Sequence, residues 1–136
     1  MRILGLDIGE KRIGLAVSDE LGITAQGLET LNRTKLETDL CKLAEIMREK
    51  EINKLVVGLP KNMHGTLGPQ AERVKKFAEL LIEECPCEVV FWDERLTTVA
   101  AQRTLLEADV SRKKRRNSVD RLAAVLILQG YLEKNS

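Results

Sequence analysis

Cysteine and histidine are scarce in this chain, which has three cysteines and one histidine among 136 residues. Cys85 and Cys87 flank a proline, but no second cysteine pair or histidine cluster completes a zinc site. An odd number of cysteines also argues against a disulfide framework, so reduced thiols are expected. The lone histidine, His64, is expected to be solvated rather than to act as a general base.

Long hydrophobic runs are also missing. The apolar stretch from Leu122 to Leu128 is far shorter than the roughly 20 residues that cross a bilayer. The first residues resemble a strand, without the apolar core and small-residue cleavage pattern of a signal peptide. The expected location is therefore the cytoplasm, with no membrane partner.

An excess of charge of one sign is absent, because 22 Lys and Arg residues face 21 acidic residues. The overall charge does not indicate a polyanionic partner, so any such argument must be local. The basic run Arg112–Arg116 is the strongest local feature and could contact a nucleic-acid backbone, although such runs are often only solvated surfaces. With only four aromatic residues, recognition by backbone and shape is favoured over base stacking.

The periodicity of apolar residues predicts one α/β domain over residues 1–136, and 43% apolar residues suffice for its core. Short strands alternate with amphipathic helices after an initial group of closely linked strands. Strands are predicted at residues 2–8, 13–19, part of 23–31, 54–59 and 88–92, and helices at 35–51, 70–84, 98–108 and 119–133.

This order predicts a five-stranded mixed sheet flanked by about four helices. The first three strands form an antiparallel meander, and the last two are parallel members of a βαβ unit. If the first strand lies beside the fourth, then Asp7, Pro60 and Glu94 meet at the carboxyl edge, where open α/β sheets bind ligands.

Three acidic positions are candidates for chemistry at that edge. Asp7 ends an apolar strand, where its carboxylate could instead accept backbone N–H groups or pair with Arg12. Strand alternation sends Asp93 and Glu94 to opposite faces, so one of the two is expected to join Asp7. Asp120 could simply favour a helix N-terminus, but the apolar residues that follow it predict an inward position.

A divalent cation would resolve the repulsion between three converging carboxylates. Oxygen ligands without His or Cys favour Mg²⁺ or Mn²⁺ over zinc. Such ions support phosphodiester hydrolysis in nucleases. The pattern therefore indicates a metal-dependent nuclease.

In their order and spacing, four motifs resemble those of the YqgF or RuvX family of ribonuclease-H-like proteins. The resemblance covers nearly the whole chain and implies that Asp7, Glu94 and Asp120 are the catalytic, metal-binding carboxylates. It also makes Glu94 preferable to Asp93. The motifs are Gly5-Leu6-Asp7-Ile8-Gly9 with Arg12 and Gly14; Gly58-Leu59-Pro60 with Asn62, Gly65 and Thr66; Asp93-Glu94-Arg95-Leu96-Thr97-Thr98; and Asp120 with Ala123 and Ala124.

Polar residues around the same edge are candidates for holding a nucleic acid. The loop of residues 60–68 suits contact with a phosphate or a sugar, although it could be an ordinary flexible connection. The candidates are Arg12, Lys61, Asn62, Arg95, Arg112, Lys113, Lys114, Arg115 and Arg116.

The family is described as nucleases of the small-subunit ribosomal RNA precursor and as Holliday-junction resolvases. The resemblance implies processing of the 5′ end of pre-16S rRNA, with ribosomal precursor particles as possible partners. Resolution of branched DNA is the alternative and would need a dimer, whereas the sequence leaves monomer and weak homodimer open. A non-catalytic RNA-binding assembly factor and an actin-like or sugar-kinase-like nucleotide binder are further alternatives.

Overall fold

The computed structural model describes residues 2–60, 68–96 and 112–135, and only the backbone of residue 95 and residues 112–121. Within these residues, six strands form one mixed sheet in the order β3-β2-β1-β5-β6, and β4 also pairs with β2. The strands are β1 (Arg2–Ile8), β2 (Arg12–Ser18), β3 (Ala25–Gly27), β4 (Leu31–Asn32), β5 (Ile52–Leu59) and β6 (Glu88–Asp93).

The predicted fold class is confirmed, including its division into two kinds of pairing. Strand β1 is antiparallel to β2 and parallel to β5, and β5 is parallel to β6. The sheet has one strand more than predicted, because Leu31–Asn32 forms a short separate pairing with the start of β2. Two residues are too few for an alternating pattern, so the sequence did not show this strand.

The described helices are α1 (Leu36–Glu49), α2 (Pro69–Glu84) and α3 (Arg112–Lys134), and one 3₁₀ turn (Glu94–Leu96) follows β6. Helix α3 begins at Arg112, whereas its predicted start was residue 119. The basic run has no apolar periodicity to indicate a helix, although Lys and Arg are good helix formers. The helix predicted at residues 98–108 lies outside the described residues. None of the described helices has the length and apolar character needed to span a membrane.

Two hydrophobic cores cover the two faces of the sheet. Alternate residues of β1, including Leu4 and Leu6, pack with α1 and α2 on one face. Ala16, Val56 and Trp92 pack with α3 on the other face. The central strands of the sheet are therefore buried on both faces. This explains why β1 and β5 are apolar along most of their length.

Helix α3 lies very close to the sheet at Gly5. A Cβ atom at this position would lie 2.8 Å from Leu128 Cβ and 3.3 Å from the Ala124 carbonyl oxygen. Towards the end of α3, the Tyr131 hydroxyl accepts a hydrogen bond of 2.9 Å from Lys54 Nζ at the start of β5. The C-terminal half of α3 thus lies at the amino end of the parallel strands, and its N-terminal half extends towards their carboxyl edge.

Gly5→Ala is expected to lower the free energy of unfolding by about 1–3 kcal/mol, because the added methyl group overpacks the contact with α3. Denaturant unfolding would measure the loss. Gly68→Ala is the control, since a Cβ there meets nothing within 4 Å, and it should cost less than about 1 kcal/mol. Equal effects of the two changes would contradict a tight contact at Gly5.

Candidate functional site

Asp7 lies near the end of β1 and is 7% exposed. Its neighbours in sequence, Leu6 and Ile8, pack into the core formed with α1 and α2. Because successive strand residues point to opposite faces, Asp7 lies on the α3 face of the sheet. The Asp7 carboxylate thus lies at the buried end of a central strand.

Glu94 is the first residue of the 3₁₀ turn that follows β6. Its Oε1 atom lies 2.9 Å from the position that a Cβ would take at Gly58. Gly58 belongs to β5, which lies between β1 and β6. The Glu94 carboxylate therefore lies over β5, in space that any other residue at position 58 would partly fill.

The strand register places Gly58 beside Asp7. Leu6 pairs with Val57 across the parallel β1–β5 ladder, so the residues that follow them are also neighbours. Leu6 and Val57 are both buried in the core with α1 and α2, so Asp7 and Gly58 belong to the opposite face. The two predicted acids Asp7 and Glu94 thus lie on the same face of the sheet, with the bare backbone of Gly58 between their strands.

Asp93 belongs to the other face. It is the last residue of β6 and pairs with Leu59, which packs in the core with α1 and α2. Asp93 and Glu94 therefore lie on different faces of the sheet, although Glu94 belongs to the 3₁₀ turn rather than to β6.

Residue 120 is placed by the backbone of α3 alone. It lies one turn before Ala124, whose carbonyl oxygen approaches Gly5. Because α3 extends towards the carboxyl edge, this places residue 120 nearer to that edge than Ala124. The inward position of the Asp120 side chain stays a prediction. Among the side chains that the structure describes, no group of three or more His, Cys, Asp or Glu residues is arranged to hold a metal ion.

The predicted nucleic-acid contacts are only partly described. Arg12 begins β2, opposite Asn32 of β4, and is half-buried. Arg95 lies in the 3₁₀ turn, and Arg112, Lys113, Lys114, Arg115 and Arg116 form the start of α3, in each case as backbone only. Lys61, Asn62 and His64 lie outside the described residues.

Gly58 is a site residue that the sequence indicates only as part of the motif Gly58-Leu59-Pro60. Glycine weakens a strand and often marks a close approach, so a glycine inside the apolar run of β5 was a usable signal. The partner of that approach, Glu94, is 36 residues away in sequence and could not be read from the local pattern.

The fold of this chain is that of ribonuclease-H-like resolvases. It is similar to Thermus thermophilus RuvC in complex with a Holliday junction substrate, with a TM-score of 0.64, 15% identity and coverage of 100% of this chain and 97% of that chain. It is also similar to the fowlpox virus Holliday junction resolvase, with a TM-score of 0.58, 14% identity and full coverage of both chains. At such low identity, these similarities establish the fold only.

The family follows from sequence. The chain belongs to the RuvX family, described as "Holliday junction resolvase", which matches residues 1–134. A protein of Clostridioides difficile (strain 630) is 61% identical over 132 residues, covering 97% of this chain and 94% of the relative. A protein of Moorella thermoacetica is 58% identical over 134 residues, covering 98% and 96%. Both relatives carry the name "Putative pre-16S rRNA nuclease".

Gly58→Ala is expected to weaken Mn²⁺ binding at the predicted metal site by about 10- to 100-fold, the usual cost of disturbing a residue that orients a ligand. The physical reason is that the new methyl group would displace the Glu94 carboxylate and the Cδ1 atom of Ile127, which both occupy the space next to the Cβ position. Titration calorimetry with MnCl₂ measures the affinity, and Gly68→Ala is the control. An unchanged affinity in the folded variant would remove Glu94 from the ligand set.

Proposed function

We propose that this protein is a nuclease that uses Mg²⁺ or Mn²⁺ to hydrolyse phosphodiester bonds, and that it processes the 5′ end of pre-16S rRNA. The observation that supports this most directly is the placement of Asp7 and Glu94 on one face of the sheet, at the ends of two parallel strands. The names of relatives above 50% identity support the RNA substrate. A ribosomal precursor as substrate would place the protein in the cytoplasm.

The donor set suits a hard divalent cation. Asp7 and Glu94 offer carboxylate oxygens, and Mg²⁺ and Mn²⁺ prefer oxygen ligands to nitrogen or sulfur. Asp120 of α3 is the proposed third ligand. A bound ion would supply positive charge that offsets the acids and polarises the phosphodiester group.

The protein's own residues contribute position and rigidity. The buried end of β1 holds Asp7, whose backbone is paired with β2 on one side and followed by the turn to Arg12. Gly58 leaves room for Glu94, and the 3₁₀ turn directs this side chain over β5. Because β1 and β5 are buried strands and the 3₁₀ turn follows directly from β6, the ligands are expected to keep their geometry when the substrate binds.

Branched DNA is the second candidate substrate. The family description and the similarity to RuvC in complex with a Holliday junction favour it. Symmetric cutting of a four-way junction needs two active sites related by a two-fold axis, and therefore a dimer. A third candidate is a role in assembly that involves RNA binding without catalysis. This role would use the same fold but would not depend on the acidic residues.

Asp7→Asn and Glu94→Gln are each expected to reduce cleavage by at least about a thousandfold while leaving nucleic-acid binding in place, because several kcal/mol of charge stabilisation would be lost. End-labelled pre-16S rRNA and a four-way DNA junction are incubated with Mg²⁺, Mn²⁺ or a chelator, and the products are resolved on gels. Metal-dependent cutting of only one substrate would choose between the two candidates.

Asp93→Asn is the matched control, since it changes the adjacent acid on the other face of the sheet. It should retain cleavage within about tenfold of the unmodified protein, which corresponds to about 1.4 kcal/mol. Loss of cleavage in Asp93→Asn but not in Glu94→Gln would exchange their roles. Binding of RNA with no cutting under any metal condition would instead indicate the assembly role.

The basic run at the start of α3 is proposed to contact the substrate backbone. Changing Arg112–Arg116 to Gln together should flatten the dependence of log K on log salt concentration, since each lost phosphate contact removes about 0.7–0.9 from the slope. Gln is used because it retains helix propensity. A slope equal to that of the unmodified protein would exclude the run from the interface.

A further inference from the structure

A groove of about 770 Å³ opens on the face of the sheet opposite α3. It lies between the β1–β2 turn, the segment that leads into α1, and the first three turns of α2, and Ile8, Val74 and Phe77 provide an apolar floor. Ligand sites commonly have volumes of about 300–1,000 Å³ and a mainly apolar lining with a few placed polar groups. The size and lining of this groove match those of a ligand site.

Positive charge is concentrated at the rim of the groove. Among the residues that the structure describes, four cationic residues and one acidic residue line it: Lys11, Arg33, Arg73, Lys76 and Glu10. These cations come from three separate parts of the chain, so no charge run in the sequence shows the cluster. Glu10 lies 3.8 Å from Arg73, but both side chains are mainly exposed and their attraction is weak. The rim therefore favours an anionic ligand.

Arg33 is held in place by several contacts. Its Nη1 donates a hydrogen bond of 2.8 Å to the Gly9 carbonyl oxygen, its Nε lies 3.6 Å from Asp39 Oδ2, and its Cζ lies 5.1 Å from the centre of the Phe77 ring. Asp39 is fully buried and also accepts a hydrogen bond of 3.0 Å from the Thr34 backbone N–H. The pair of Arg33 and Asp39 fixes the wall of the groove, while Lys11, Arg73 and Lys76 supply its excess of positive charge.

The groove is adjacent to the proposed active site. Ile8 and Gly9 line it and directly follow Asp7 in the chain. Successive residues of a strand are only about 3.3 Å apart, and their side chains point to opposite faces. Asp7 therefore faces the α3 side of the sheet, and the groove begins at Ile8 on the other side. A single nucleic-acid strand that crosses this edge can reach both.

We propose that this groove binds the sugar–phosphate backbone of one nucleic-acid strand, on the segment that flanks the cleaved bond. The inference rests on the proposed function. The negative charge of the phosphates is opposite to that of the cations at the rim, and the C–H faces of the sugars can pack on the apolar floor. RNA and DNA share this chemistry, so both are tested.

The test uses the exposed pair Arg73 and Lys76, both on α2, changed together to Gln. The matched control changes Lys42 and Arg48 to Gln. It also removes one Lys and one Arg charge, but from exposed positions of α1 outside the groove. Binding of one fluorescent single-stranded sequence, as RNA and as DNA, is followed by anisotropy at several salt concentrations with a chelator to prevent cutting. Thermal unfolding verifies that both variants are folded.

The groove variant should lose about 1.4 from the salt slope, which is two contacts at about 0.7 each for a single strand. The control should keep the slope of the unmodified protein. Cleavage by the groove variant should show a raised KM with kcat retained, because the contact is made before and during the reaction. Loss for both RNA and DNA means that the groove contacts the phosphates of either strand, and loss for RNA alone means that it holds the backbone of RNA only.

Equal slopes for the groove variant and the control would overturn this inference. If the unmodified protein still cuts its substrate and Asp7→Asn does not, the proposed nuclease function stands without the groove. If the unmodified protein neither binds nor cuts any of the nucleic acids, both proposals fail.

Discussion

The close packing of α3 on the sheet is the constraint on which the rest of the structure depends. The sheet has no side chain at Gly5 or Gly58, and α3 fills this space with Leu128 and Ile127. Polar contacts fix the C-terminal half of the helix: the Ala25 backbone N–H donates a hydrogen bond to Gln129 Oε1, and Lys54 Nζ donates one to the Tyr131 hydroxyl. These contacts define the position and direction of α3. Its N-terminal half, which includes residue 120, therefore extends towards the carboxyl edge.

The two faces of the sheet have different charges at the same edge. On the α3 face, Asp7 and Glu94 lie on either side of Gly58, where we propose that they hold a divalent cation. On the opposite face, the groove carries an excess of positive charge over Glu10. Strand alternation produces this separation within two residues, since Asp7 and Ile8 point to opposite sides. In the proposed function, the acids and the cations would contact one substrate from the two faces without neutralising each other.

Fold, family and chemistry rest on different kinds of evidence. The RuvC structure contains a Holliday junction substrate, but similarity at 15% identity establishes only the fold, and a fold hosts many activities. The relatives at 53–61% identity give a family and a ribosomal RNA substrate in name. In the proposed function the residues of the site connect the two, because either substrate would present the same phosphodiester group to Asp7 and Glu94.

The sequence by itself determined the elements and much of their order. Short apolar runs located β1 and β5, and helical periodicity located α2, because these signals depend on residues close together in the chain. It failed where the local signal was weak, at the two-residue β4 and at the charged start of α3. Only the tertiary structure decided that Gly58 makes room for Glu94, and that cations from three parts of the chain line one groove. Such contacts join residues that are distant in sequence, so they exist only after the crossover connections have packed onto the sheet.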